Sequence, residues 1–166
     1  MCLLVVLPYR DDPLHKRQRH LALALWRLRA LHNSIIAVAE QSDDGKRFNR
    51  GAVLNAVFGA CHCRFRITDV IFHDIDLLPS PALMVHYVKP LPEPCVRHLA
   101  GAFVRYNQQH FLGGITMIST ALFCAVNGFP NDFYGWGGED DELLARLGHA
   151  THIERVAEPL VDLEDM

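Results

Sequence analysis

The chain alternates between short unbroken apolar runs and longer mixed stretches. Residues 2–7 (Cys-Leu-Leu-Val-Val-Leu) run apolar without interruption up to Pro8, 34–39, 69–72 and 115–118 form further short, mostly apolar runs rich in β-branched residues, and the more polar 152–156 is strand-like. Runs of this length with no polar face predict strands buried on both sides, as in a mostly parallel sheet covered by helices. Between them, 13–31 carries Leu21, Leu23, Leu25, Leu28 and Leu31 among cations and reads as an amphipathic helix. Residues 48–60 form a second helical stretch with Asn49 as its cap, following the turn-like Ser42-Asp43-Asp44-Gly45. Ser119-Thr120 would cap a short helix reaching Val126, and 140–147 would form a helix that opens on acids. Five prolines between Pro79 and Pro94 predict a loop-rich excursion. Strands alternating with helices give an α/β class.

The length of 166 residues, half of them apolar, supports one sizeable core, so a single domain over 1–166 is expected. The formal charge is −3 and no Lys/Arg block is present, which argues against a nucleic-acid partner. The basic residues between Arg10 and Arg29 are interleaved with Leu and Ala and read as a solvated helix face. Five scattered cysteines show no disulfide framework, and Cys61-His62-Cys63 lacks the spacing with which two thiolates wrap a zinc ion. The six apolar residues before Pro8 are far too few to span a bilayer.

Two segments carry chemistry. In His73-Asp74-Ile75-Asp76, two carboxylates flank one apolar residue where a buried strand ends, so both can address one hard cation bound to a diphosphate. Such an ion neutralises charge developing on a leaving nucleotide. In Gly135-Trp136-Gly137-Gly138-Glu139-Asp140-Asp141, a large aromatic on a flexible backbone precedes three adjacent acids at a helix start. The helix dipole offsets only about 0.3–1 kcal/mol per charge, so three acids are a poor choice for capping alone. A carboxylate here suits a general base toward a sugar hydroxyl, and Trp136 suits stacking on a sugar ring.

These segments, taken with Pro8-Tyr9-Arg10, Phe48-Asn49-Arg50, Gly113-Gly114 and Asn127-Gly128-Phe129-Pro130-Asn131, stand in the order and rough spacing of the β-1,4-galactosyltransferases, and the chain resembles that family over nearly its whole length. The resemblance, which includes the branch acting on xylosylprotein, implies a GT-A-type, Rossmann-like fold with a mixed, mainly parallel sheet. It implies a metal-dependent, inverting transfer of galactose from UDP-galactose to a sugar hydroxyl of a glycan acceptor, with Mn2+ as cofactor. Position by position it places Pro8, Arg10, Phe48, Arg50, Asp74, Gly114 and Trp136 on the donor, and Asp76 on the metal. It makes Asp140 the base with Glu139 beside it, puts Phe111, Gly138 and Asp141 on the acceptor side, and lets Gly137 and Gly138 move the tryptophan loop. A Golgi-lumenal setting behind a type II anchor is also implied, with that anchor expected outside residues 1–166; the family's metal-binding histidine either lies beyond them too, or is replaced by His149 or His152, or is dispensed with, the ion then being held by Asp76, the diphosphate and water.

The chain departs from the family pattern in two further places. Pro8-Tyr9-Arg10 is followed by Asp11-Asp12 rather than by a second arginine one residue on, and Arg17 would recover that cation across an insertion. Phe111 falls where vertebrate members carry a tyrosine beside the donor sugar, which leaves N-acetylgalactosamine as an alternative donor. A UDP-sugar-binding module without turnover is the alternative from outside enzymology.

Overall fold

A computed structural model describes residues 2–12, 14, 16–102 and 111–165. Six strands form the central sheet: β1 (Leu3–Tyr9), β2 (Ser34–Glu40), β3 (Asp69–His73), β5 (Cys95–His98), β6 (Ile115–Ser119) and β7 (His152–Arg155), in the order β2-β1-β3-β6-β5-β7. A two-stranded ribbon pairs β4 (Leu77–Pro79) with β8 (Leu160–Asp162). The helices are α1 (Arg17–Leu28), α2 (Arg50–His62), α3 (Pro81–Val85), α4 (Thr120–Ala125) and α5 (Glu139–Leu147).

The unbroken apolar run of β1 reflects a position between two packed layers. Leu3, Val5 and Leu7 face one core with Ala24 and Leu28 of α1, while Leu4 and Val6 face the other with Leu54 and Phe58 of α2, Phe123 of α4 and Leu143 of α5. Strands β1, β2 and β3 pair in parallel, β6 runs antiparallel to both β3 and β5, and β5 and β7 are parallel. The sheet is therefore mixed. Because β6 opposes β3, the end of one meets the start of the other, and the Asp74 N–H donates to the Gly114 carbonyl at 2.9 Å. That reversal opens a crevice beyond the carboxyl ends of β1 and β3, where open α/β sheets bind ligands.

Several element boundaries differ from expectation. Helix α1 begins at Arg17 and buries His20, Ala24 and Leu28, spaced by four, whereas Leu21, Leu23 and Leu25 cannot share one helical face. The Pro13 end of the expected helix lies outside the described residues. Helix α2 begins at Arg50, with the Asn49 side chain accepting from the Ala52 N–H at 2.9 Å, and α5 begins one residue early, at Glu139. The proline-rich excursion contains α3: Ser80 caps it, and Pro81 sits in the first turn, where its missing N–H costs nothing.

Gly51 lies where α2 meets the loop after α4. A methyl on it would stand 2.5 Å from the Pro130 carbonyl oxygen and 3.1 Å from Phe129 Cβ. Backbone cannot yield as a flexible side chain does, so Gly51→Ala is expected to lose about 1–3 kcal/mol of stability. Urea denaturation measures this, and an unchanged midpoint would contradict the close approach.

Candidate active site

The start of α2 and the start of α5 converge on the turn after β3. Arg50, the first residue of α2, donates from Nε to Asp74 Oδ1 at 2.8 Å, and from Nη1 to Asp140 Oδ1 at 3.0 Å and to Glu139 Oε1 at 3.4 Å. The four side chains are largely withdrawn from water: 11% exposed for Arg50, 26% for Asp74, 8% for Glu139 and 14% for Asp140. One guanidinium thus faces three carboxylates in a site of low polarisability, where charge imbalance matters most. Burial works against the Arg50 charge, yet Asp140, Asp74 and Glu139 together hold its pKa above the ordinary range. Burial, reinforced by Glu139 and Asp74, pushes the Asp140 carboxyl up to about 6 despite Arg50. Burial and the Asp74 charge do the same to Asp76, also to about 6.

Local structure explains how the second motif reaches this point. Asn49 Nδ2 donates to the Asn131 carbonyl at 2.7 Å, and Asn55 Nδ2 donates to the Phe129 carbonyl at 2.8 Å, tying the 127–131 loop to α2. The Gly135 N–H then donates to the Phe48 carbonyl at 2.8 Å. Gly138 caps α5 at φ +96°, with the Phe133 ring pressed against the place a Cβ would occupy, so both conformation and space demand glycine. Trp136 is 97% exposed on this loop, with its ring open to whatever enters the groove.

A groove of about 1670 Å³ runs along these elements. A single small ligand typically occupies a pocket of about 300–1,000 Å³, so there is room for a donor and an acceptor together. Pro8, Phe48, Arg50, Asp74, Asp76, Phe111, Gly114, Trp136, Gly138, Glu139, Asp140 and Asp141 all line it. Arg10 does not: its guanidinium turns to Asp43 at 3.2 Å and to the Lys46 carbonyl, away from the groove. Its place in the sequence next to Pro8 gave no hint of this, because it depends on where the 41–47 turn folds back.

Arg17 lines the groove and pairs with Glu164 at 3.7 Å, which brings the expected replacement cation close to Asp76. Glu164 and Arg155 also line it, although no motif marks either residue. His73, by contrast, is fully buried and holds its Nδ1 against the Asp74 carbonyl at 2.9 Å, supporting the turn from behind. Among the described residues no three His, Cys, Asp or Glu side chains converge closely enough to hold a metal ion. No described helix is long and apolar enough to cross a membrane.

A family model described as the N-terminal domain of galactosyltransferase matches residues 94–164. Human β-1,4-galactosyltransferase 4 is 33% identical over 153 residues, covering 86% of this chain and 41% of that protein. Mouse β-1,4-galactosyltransferase 1 is 30% identical over 155 residues, covering 87% of this chain and 36% of that protein. The chain therefore spans less than half the length of the curated relatives it matches. Among solved structures, a mutant Drosophila β-1,4-galactosyltransferase 7 in complex with manganese, UDP-Gal and xylobiose superimposes with a TM-score of 0.73 at 25% identity, over 93% of this chain and 64% of that one. With the motifs in one groove of a GT-A fold and relatives of this kind matched across most of its length, the chain belongs to the β-1,4-galactosyltransferase family.

Proposed function

We propose that this chain carries the donor site and the base of an inverting galactosyltransferase, which moves galactose from UDP-galactose to a sugar hydroxyl of a glycan acceptor. The observation that carries the reading is Arg50, which joins the carboxylate turn after β3 to the acid cluster of α5 in one groove large enough for two ligands. In this reading Phe48 and Pro8 flank the nucleotide, Arg50 and Asp74 orient the donor sugar, and Trp136 covers it. Asp140 takes the proton of the acceptor hydroxyl as its oxygen attacks the anomeric carbon from the side opposite UDP, which inverts that centre. The raised Asp140 pKa makes it a stronger base than a solvated carboxylate, and closure of the Trp136 loop over the donor would limit its hydrolysis.

Asp76 fits a divalent cation as a single hard-oxygen ligand: its carboxyl is pushed up by burial, with the Asp74 and Glu164 charges adding, and a cation beside it would reverse that push. Manganese bound there with the diphosphate would neutralise charge on the leaving UDP. The manganese, UDP-Gal and xylobiose in the Drosophila structure support this reading of donor, metal and sugar acceptor.

Phe111 on the groove wall favours a second reading of the donor, since a phenyl ring offers no hydroxyl to hinder an N-acetyl group. The test is a panel of UDP-galactose and UDP-N-acetylgalactosamine against N-acetylglucosamine, glucose and xylose acceptors. The expected result is manganese-dependent transfer that is lost on chelation and restored by added manganese. Phe111→Tyr is expected to shift donor preference toward galactose by about tenfold. An unchanged ratio removes Phe111 from donor selection, and UDP binding without transfer to any acceptor makes the chain a binding module.

A further inference from the structure

On the acceptor side of the groove stands a pair, one buried and one half-buried, that belongs to neither motif. His98 ends β5 and Arg155 ends β7, and the two are register partners across the parallel pair. His98 is fully buried, and both of its ring nitrogens are engaged: Nδ1 meets Arg155 Nη1 at 2.7 Å and Nε2 meets the Gly113 carbonyl at 2.9 Å. A guanidinium can only donate and a carbonyl can only accept. The imidazole is therefore neutral, with its proton on Nε2, accepting from Arg155 and donating to Gly113. Burial also lowers the His98 pKa to about 4, consistent with that form at neutral pH. The same Arg155 Nη1 donates to the Phe111 carbonyl at 2.8 Å.

The two carbonyls held in this way bracket the backbone on which Asp140 rests. A methyl on Gly113 would stand 2.9 Å from Asp140 Oδ2 and would strike the Phe111 ring. Asp140 Oδ1 is taken up by Arg50, so Oδ2 is the oxygen left facing the Gly113 peptide. Arg155 and Phe111 line the groove on this side.

We propose that His98 and Arg155 act as a positioning pair that fixes the 111–113 backbone against Asp140 Oδ2 and so sets where the acceptor sugar sits relative to the base. The inference rests on the galactosyl-transfer reading. None of these hydrogen bonds reaches Pro8, Phe48 or Asp76, so loss of the pair changes the sugar end of the groove and spares UDP binding. A misplacement of about 1 Å at a reacting group can cost about 100-fold in rate, so a wall held by two hydrogen bonds is enough to matter.

The test is initial-rate kinetics of the chain with manganese, UDP-galactose and whichever of N-acetylglucosamine, glucose or xylose turns over, alongside titration with UDP. His98→Leu is expected to lower kcat/KM for the acceptor about tenfold while leaving UDP affinity within about twofold. His98→Gln, whose side-chain amide can still donate toward the Gly113 carbonyl, is expected to recover most of the loss. Arg155→Lys, at a partly exposed position, should show the same change with UDP affinity retained, in milder form, and covers the case in which His98→Leu does not fold. Imidazole 15N spectra of the wild type should show the Nε2–H tautomer at pH 7. Equal losses in transfer and UDP affinity, no advantage of Gln over Leu, or a doubly protonated His98 at pH 7 overturns the proposal. A wild type that transfers to no acceptor overturns the galactosyl-transfer reading itself, whereas a transferring wild type with unaffected variants overturns only this inference.

Discussion

Asp140→Asn is expected to reduce galactosyl transfer by at least about 100-fold while UDP binding is retained, because general acid–base catalysis typically supplies about 10²–10⁴. The amide matches the carboxylate in size and keeps an oxygen for Arg50 Nη1, so the Arg50 cluster and the start of α5 can persist without a base. The substitution also removes a carboxylate whose charge burial disfavours. The melting temperature is therefore expected to hold or rise as activity falls, the usual sign of a group kept for function at some cost in stability. Transfer assays, UDP titration and thermal denaturation check the three parts, and full activity in the variant removes Asp140 from the base role.

The same carboxyl sets the pH dependence of the wild type. The base must be ionised, and its pKa lies near 6 because burial raises it, with Glu139 and Asp74 adding to the rise. The turnover rate is therefore expected to climb through pH 6 to a plateau, standing about tenfold below that plateau at pH 5. Manganese is kept saturating during this measurement, since the Asp76 carboxyl lies in the same range. An acid limb near the ordinary carboxylate value of about 4 would show a base that carries no burial penalty.

Arg50→Met is the second large effect. It leaves Asp74, Glu139 and Asp140 facing one another with little solvent and no guanidinium, and breaking a buried pair in this way costs about 3–5 kcal/mol. The sign of its pH dependence follows from linkage. Without Arg50 the folded-state Asp140 carboxyl moves further above its unfolded value, and stability from a raised pKa is present at low pH and lost as pH rises through it. The deficit is therefore expected to be smaller at about pH 5 than at about pH 8, where Asp140 is ionised. Urea denaturation at the two values decides it. A deficit independent of pH would assign the loss to packing against Phe129, over whose ring the guanidinium lies at 5.8 Å. UDP binding should fail together with stability at the higher pH.

Much of the fold is legible along the chain because its signals are local. The apolar run of β1 needs no partner to be read as a strand buried on both faces, and Asn49 and Ser119 announce the helices they cap through their own side chains. The 74–76 and 136–141 segments are also local, and both line one groove. The three-residue strands β4 and β8 were not legible, since each is too short to carry a period and becomes a strand only by pairing with a segment about eighty residues away.

By itself the sequence determined which segments cross the sheet, where the turns with chemistry fall, and which family pattern they follow. Those properties reside in runs of adjacent side chains and their spacing. Only the tertiary structure decided which charges meet. Arg50 reaches Asp140 across 90 positions, Arg10 turns out to Asp43, and His98 meets Arg155 across two strands 57 positions apart. A guanidinium at any of these places looks the same in sequence. Its role is set by the carboxylate, carbonyl or imidazole that chain reversal brings within about 3 Å, a distance that no spacing along the chain encodes.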